Sequence, residues 1–158
     1  MTQPGYFGIG IHRVKTEGNI GTLWRGAYQL GADFIFTVGA RHKRQSSDVF
    51  KTWLHIPLFG YDEVSQILDS IYDCLLVGVE QGGEPLPEFK HPQRCVYLLG
   101  SEDNGLPPHI LAQCHHVVSI PSIRPGSYNV AQAGTLIMYD RMVKNGCLTN
   151  GRLNLKNR

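Results

Sequence analysis

Short apolar runs rich in β-forming residues alternate along this chain with segments whose apolar residues recur every three or four positions. The short runs are typical of buried strands, and the periodic segments are typical of amphipathic helices. The predicted strands cover residues 6–12, 33–39, 56–59, 74–79, 95–99 and 116–120. The predicted helices cover residues 19–31, 46–53, 61–71 and 127–144. This alternation predicts an α/β domain with a mainly parallel sheet.

Capping residues mark the predicted helix ends. Asn19 and Ser127 have side chains that cap helix N-termini well, and Gly31 is a natural helix stop. Residues 80–92 contain several glycines and prolines and are predicted to form a loop.

Two of the predicted strands end in loops rich in glycine and proline. Residues 95–99 are followed by Gly100 and the segment 101–105, and residues 116–120 are followed by Pro121 and the segment 122–126. In an open parallel sheet, ligands bind beyond the carboxyl ends of the strands. We therefore predict a ligand site where these two strands end, and we expect the strands to be neighbours in the sheet.

The loop after Gly100 has the glycine spacing of a phosphate-binding loop but not its chemistry. Leu106-Pro107 stand where the lysine and hydroxyl residue of that motif belong, and Glu102 and Asp103 place negative charge where a phosphate needs donors. Carboxylates and free backbone groups suit hydroxyls or an amine better. An acidic surface turn that caps the following helix is the alternative interpretation.

Composition adds few constraints. The 158 residues are 42% hydrophobic and 18% charged, which predicts one domain over residues 1–146 and a polar, basic tail over residues 147–158. A net charge of +2 permits an RNA partner without requiring one.

The cysteines lie scattered at 74, 95, 114 and 147, which favours reduced thiols and a cytoplasmic location. We see no signal-peptide pattern and no apolar stretch of membrane-spanning length, so no membrane partner is expected.

The densest basic run follows the predicted strand 33–39. Its cationic residues Arg41, Lys43 and Arg44 should lie at the same sheet edge as the glycine-rich loops, and we predict that they contact RNA phosphates. A solvated basic loop is the alternative.

Metal and nucleophile chemistry are not indicated. Cys114-His115-His116 begins a predicted strand, where alternate residues point to opposite faces, and no second Cys or His cluster completes a metal site. No G-x-S-x-G elbow is present either.

Three segments carry a resemblance to a known family. They read NIGTLWR at residues 19–25, LLGSEDNGLP at residues 98–107, and IP at 120–121 followed by SYNVA at 127–131. In this order they resemble the motifs of the SPOUT superfamily, specifically the TrmH/SpoU-type ribose 2′-O-methyltransferases. The resemblance extends over roughly residues 6–145. The family's third motif commonly reads Ser-Leu-Asn-Val-Ser, so Tyr128 and Ala131 depart from it.

The resemblance implies an open, mainly parallel sheet with helices on both faces and a C-terminal trefoil knot. It also implies a homodimer whose active site is shared between subunits, and S-adenosylmethionine (AdoMet) held mainly by the backbone of three loops. The residues predicted to bind AdoMet are Val77, Gly78, Val79, Leu99, Gly100, Ile120, Ser127, Tyr128 and Asn129.

The same resemblance assigns the catalytic roles. Arg25 would bind an RNA phosphate and orient the ribose hydroxyl, since a guanidinium is a poor base. Asn19 would hold Arg25 or the ribose, and Glu102 would accept a hydrogen bond from RNA or fix Arg25. We expect tRNA to be the substrate rather than ribosomal RNA. A non-catalytic RNA- or nucleotide-binding module and a base-methylating SPOUT enzyme are the alternatives.

Overall fold

The computed structural model describes residues 5–39 and 54–145, together with the backbone of two short strands near the C-terminus. The strands are β1 (Tyr6–His12), β2 (Phe34–Val38), β3 (Leu58–Tyr61), β4 (Leu75–Pro85), β5 (Arg94–Leu99), β6 (His116–Ser119), β7 (Leu148–Thr149) and β8 (Arg152–Leu153). The helices are α1 (Glu17–Leu30), α2 (Val64–Ser70), α3 (Pro108–Leu111) and α4 (Val130–Lys144), with a 3₁₀ turn at Leu86–Glu88. The predicted helix 46–53 and the basic residues Arg41, Lys43 and Arg44 lie wholly outside the described residues.

Six strands form one parallel sheet in the order β3-β2-β1-β5-β4-β6, which confirms the predicted sheet type. The expectation that the fifth and sixth strands are neighbours is wrong, because β4 pairs with both of them and lies between them. β7 and β8 form a separate antiparallel pair within the predicted tail. The C-terminal trefoil knot stays a prediction.

Side chains alternate between two apolar layers, one on each face of the sheet. One layer joins Ile9 and Leu99 to Leu23 of α1 and Ile137 of α4. The other joins the strand residues that point to the opposite face to α2 and α3, with Ile67 of α2 fully buried. This two-sided burial explains why the strands read as near-continuous apolar runs. Within the described part of the chain, no helix has the length and apolar character needed to cross a membrane.

Several element boundaries differ from the prediction. α1 begins at Glu17 after Thr16, so Asn19 lies inside the first turn instead of capping it. β3 lies two residues later than the predicted strand 56–59, and α2 is shorter than the predicted helix 61–71, with a capping box at Glu63. Gly31 ends α1 in the left-handed conformation, φ 88°, as predicted.

The largest difference lies at the end of β4. Residues 80–92 were predicted to be a loop, but β4 continues to Pro85 because a bulge lets the strand pair with β6 twice. Both Val79 and Glu84 pair with Val118, so residues 80–83 form the extra segment. Bulges re-aim side chains near functional sites, and this one turns Glu80 toward the loop after β5.

A polar network is buried between α4 and the segment that joins β4 to β5. His91 Nδ1 lies 2.7 Å from the Tyr97 hydroxyl, and its Nε2 lies 2.7 Å from Asp140 Oδ2. The guanidinium of Arg141 donates to the Pro92 carbonyl at 2.6 Å and to the Tyr97 hydroxyl at 3.0 Å. The network therefore fastens α4 to the centre of the sheet.

We expect the free energy of unfolding to fall as the pH drops below 6.5, partly because of His91. Burial lowers the pKa of His91 below its ordinary value of 6.5, although the Asp140 carboxylate acts in the opposite direction. Between the folded and unfolded pKa values, the unfolded chain binds more protons, so acid favours unfolding. Urea denaturation on both sides of that pH measures the effect.

The matched variant is His91→Gln, which has no titrating group at this position. Its stability should depend less on pH than that of the wild type. A residual dependence is expected, because burial also lowers the pKa of His12. Identical pH dependence in the two proteins would contradict the assignment.

Candidate active site

A cavity of about 570 Å³ lies beside the bulge in β4 and beyond the carboxyl ends of β5 and β6. Its walls come from the bulge of β4, the loop after β5 and the loop between β6 and α4. The residues that line it are Val79, Glu80, Gln81, Leu99, Gly100, Ser101, Glu102, Asp103, Asn104, Gly105, Ile120, Ser122, Pro125, Gly126, Ser127, Tyr128, Val130 and Ala133. This volume is typical of a small-molecule site.

The loop after β5 is a tight turn that requires glycine at both ends. Gly105 N–H donates to the Ser101 carbonyl at 3.0 Å, and Gly105 adopts φ 62°. A Cβ atom built on Gly100 would lie 2.3 Å from the carbonyl carbon of Gly105. The main chain therefore approaches itself, and the cavity, more closely than any residue with a side chain allows.

Glu80 was missed in the sequence analysis, which assigned it to a loop. Its Oε2 accepts the Leu106 N–H at 2.8 Å, and its Oε1 accepts the Gln81 N–H at 2.8 Å. The carboxylate thus ties the bulge of β4 to the end of the loop after β5. A carboxylate directly after an apolar strand run, at the edge where ligands bind, was the available signal.

The loop between β6 and α4 is exposed and is held by its own side chains. The Tyr128 hydroxyl donates to the Pro121 carbonyl at 2.7 Å, and the Ser122 hydroxyl donates to the Arg124 carbonyl at 2.9 Å. Tyr128, where the family commonly has leucine, therefore closes this loop as well as lining the cavity.

Three polar side chains from the three motif segments meet next to the cavity. Asn19 Nδ2 donates to Glu102 Oε1 at 2.8 Å, and Asn129 Nδ2 donates to the same oxygen at 2.9 Å. Asn129 Nδ2 also lies 3.1 Å from Asn19 Oδ1. We call Asn19, Glu102 and Asn129 the polar cluster. Glu102 and Asn129 are 27 residues apart and Asn19 and Asn129 are 110 apart, so the fold alone brings them together.

Arg25 is exposed on α1 and lies outside the polar cluster. Six residues of α-helix rotate by about 600°, so Arg25 leaves α1 about 120° around the axis from Asn19. The interaction of Arg25 with Asn19 or Glu102 stays a prediction. Within the described residues, the side chains of Asn19 and Glu102 bond to each other and to Asn129.

The nine residues predicted to bind AdoMet fall into three groups. Those on the cavity wall are Val79, Leu99, Gly100, Ile120, Ser127 and Tyr128. Val77 is fully buried within β4, and a Cβ on Gly78 would meet Cys114 Sγ at 2.8 Å, so both belong to the core. Asn129 lies beside the cavity in the polar cluster.

Asn129, not the predicted Ser127, caps α4. Its Oδ1 accepts the Ala131 N–H at 2.9 Å and the Gln132 N–H at 3.2 Å, while its Nδ2 donates within the polar cluster. One side chain therefore both starts the helix and orients Glu102. The side-chain amide suits this double role because it has a donor and an acceptor.

We expect Asn129→Ala to lower the free energy of unfolding by about 1 kcal/mol through loss of the cap. Asn129→Ser keeps a capping oxygen but loses the donor to Glu102, so it should lose less than half as much. Urea denaturation at fixed protein concentration compares the two. Equal losses would mean that the cluster bonds, and not the cap, carry the stability.

In the run Cys114-His115-His116, the side chains of Cys114 and His115 form hydrogen bonds that support the fold. The Cys114 thiol donates to the Ile110 carbonyl at 3.4 Å, and burial raises its pKa, so it is not an activated nucleophile. His115 Nδ1 accepts the Leu76 N–H at 2.9 Å. Among the described residues, no group of three or more His, Cys, Asp or Glu is arranged to hold a metal ion.

Comparison with proteins of known sequence gives moderately similar relatives. The chain is 26% identical over 153 residues to a 23S rRNA (uridine(2479)-2′-O)-methyltransferase from Streptomyces viridochromogenes, covering 85% of this chain and 52% of that protein. The chain thus spans about half the length of the curated relatives it matches.

Comparison with solved structures supports the fold. The SpoU methyltransferase AviRb from Streptomyces viridochromogenes in complex with AdoMet has a TM-score of 0.78 at 24% identity, over 91% of this chain and 59% of that one. A structure that addresses the 2-OH methylation of C/U34 on tRNA has a TM-score of 0.78 at 23% identity, over 89% of this chain and 97% of that one.

The model of the SpoU rRNA Methylase family matches residues 7–139, a range that includes all three motif segments and the cavity they line. The resemblance inferred from those motifs is therefore confirmed: the chain belongs to the SpoU rRNA methylase family.

Proposed function

We propose that this protein is an AdoMet-dependent RNA methyltransferase that methylates a ribose 2′-hydroxyl group. The observation that carries the proposal is the convergence of the three motif segments on one cavity, with the polar cluster of Asn19, Glu102 and Asn129 at its side. The Streptomyces relative is a ribose 2′-O-methyltransferase by name, which supports this chemistry.

The cavity fits AdoMet in size and in its donors. A volume of about 570 Å³ accommodates a nucleoside bearing an amino-acid chain. Gly100 and Gly105 leave the main chain open to close approach, and Ser127 adds a hydroxyl from the loop between β6 and α4. Bound AdoMet supplies a sulfonium methyl group that is already strongly electrophilic. The protein therefore needs mainly to align the attacking hydroxyl and accept its proton.

Glu102 is the group that we assign to the hydroxyl. Its Oε1 accepts both amide donors of the polar cluster, which fixes the carboxylate in place. No bond to Oε2 occurs within the described part of the chain, so this oxygen can accept a hydrogen bond from the ribose. The main role of Asn19 and Asn129 in this account is to orient Glu102, not to bind RNA.

In this proposal the protein is a homodimer, and Arg25 completes its active site by binding a phosphate group of the RNA. α4 carries an exposed apolar stripe, Leu136, Tyr139 and Val143, at helical spacing. Burying this stripe against a second copy would explain its composition. In the shared active site that the resemblance implies, Arg25 and the cavity would contact the same bound RNA.

We propose tRNA as the substrate class, supported by the similarity to the enzyme whose chain the match covers almost completely. Purified protein is incubated with methyl-labelled AdoMet and unmodified tRNA, or with ribosomal RNA. Label is expected in 2′-O-methylated nucleosides of the tRNA. Label in ribosomal RNA alone would reject tRNA as substrate, and label in a methylated base would reject ribose as the acceptor.

A further inference from the structure

Two of the three carboxylates that line the cavity, Glu80 and Glu102, have no cationic partner among the described residues. Glu80, Glu102 and Asp103 line it, and no Lys, Arg or His is among the described lining residues. Asp103 forms an exposed ion pair with Lys15, which offsets its charge. The bonds of Glu80 and Glu102 go to backbone and amide N–H groups, which are neutral. The cavity therefore carries fixed negative charge.

Of Glu80 and Glu102, Glu80 is the better placed to act on the cofactor rather than on the RNA. Glu102 is exposed and belongs to the polar cluster, whereas Glu80 is half-buried on the inner wall. Its two oxygens are held by the N–H groups of Gln81 and Leu106, so the charge cannot swing into solvent. A Cβ on Gly105 would lie 2.3 Å from Glu80 Oε2, which shows how closely the loop after β5 packs against it.

We propose that Glu80 makes the cavity prefer the positively charged methyl donor over its neutral product. This inference rests on the proposed function. AdoMet carries a net charge of +1, and loss of the methyl group leaves a thioether, S-adenosylhomocysteine, with a net charge of zero. A fixed carboxylate in the wall stabilises the donor more than the product and so favours product release. Glu80 is a specificity-determining residue in this account, and it takes no part in proton transfer.

The expected size of the preference follows from Coulomb's law. Two unit charges roughly 8 Å apart in a partly wet site attract enough to change a dissociation constant by about two- to thirtyfold. Glu80→Gln removes the charge while its amide oxygen can still accept the Leu106 N–H. This substitution should therefore lower the affinity for AdoMet relative to the product by a factor in that range.

The test uses calorimetric titration of three ligands into the full chain: AdoMet, S-adenosylhomocysteine and sinefungin. Sinefungin carries an amine in place of the sulfonium centre, so it shares the donor's charge but has no transferable methyl group. In Glu80→Gln we expect AdoMet and sinefungin to weaken by the same factor and S-adenosylhomocysteine to weaken less. Glu80→Asp keeps the charge on a shorter side chain and should weaken all three ligands equally.

Glu84→Gln, an exposed change farther along β4, serves as the control and should alter none of the affinities. Equal weakening of all three ligands in Glu80→Gln would overturn the proposal and leave Glu80 a purely structural residue. Unchanged affinities would overturn it as well. If the wild type binds none of the ligands, the proposed function itself fails, and that result is distinct from the other two.

Discussion

Replacing Arg25 with Ala should lower the rate of methyl transfer by about 10²- to 10³-fold, the cost typical of losing one well-placed electrostatic donor. AdoMet affinity should stay within about twofold of the wild type, because Arg25 is exposed on α1 and does not line the cavity. A guanidinium stays protonated in proteins, so its contribution is to bind phosphate through two parallel N–H groups and position the ribose.

Two further variants separate position from charge. Arg25→Lys keeps the charge but not the forked donor geometry, so its rate should fall between the wild type and Arg25→Ala. Lys90→Ala removes an exposed cation from the segment between β4 and β5, outside the three motif segments and the cavity lining, and should leave the rate unchanged. Initial rates with labelled AdoMet and calorimetric AdoMet titration measure both quantities. Loss of AdoMet binding in Arg25→Ala would contradict the positioning role.

The second large effect is on stability. Arg141→Leu should lower the free energy of unfolding by about 3–5 kcal/mol, because each buried polar group left without its partner costs about 1–3 kcal/mol. Arg141 is 2% exposed and donates to the carbonyls of Pro92 and Gln93 and to the Tyr97 hydroxyl. Its guanidinium also lies 4.6 Å from the centre of the Phe7 ring.

Arg141→Lys tests whether charge alone suffices at this position. A single ammonium group cannot reach acceptors that the guanidinium binds on two of its nitrogens, so we expect a loss smaller than that of Arg141→Leu but still measurable. Urea denaturation at one fixed protein concentration is required, since a dimer would make the midpoint depend on concentration. A loss below about 1 kcal/mol for Arg141→Leu would show that the carbonyls are satisfied without Arg141.

The sequence was sufficient to predict the elements whose pattern is local. The apolar runs identified all six strands of the main sheet, and Gly31 marked the end of α1. The loops after Gly100 and Ile120 were predicted as the ligand site because glycine and proline interrupt buried strands there. These features depend on residues close together in the chain, so hydrophobic periodicity and turn-forming residues are enough to predict them.

The remaining features depend on residues far apart in the chain. An apolar run does not reveal which strand lies beside it, so the position of β4 between β5 and β6 could not be read from the pattern. Asn19 and Ser127 were expected to cap helices, but Asn19 bonds to Glu102 and Asn129 takes the cap of α4. Glu80 acquires its role only through the bulge in β4, which depends on pairing with β6.

The most direct test of the account is hydrogen–deuterium exchange of the purified chain with and without saturating AdoMet. The account predicts saturable binding and slower exchange in the three segments that form the cavity, at residues 79–81, 99–105 and 120–130. Exchange in α2 (Val64–Ser70), on the opposite face of the sheet from α1 and α4, should not change. Absence of binding, or protection confined to segments outside the cavity, would contradict the assignment of this cavity as the methyl-donor site.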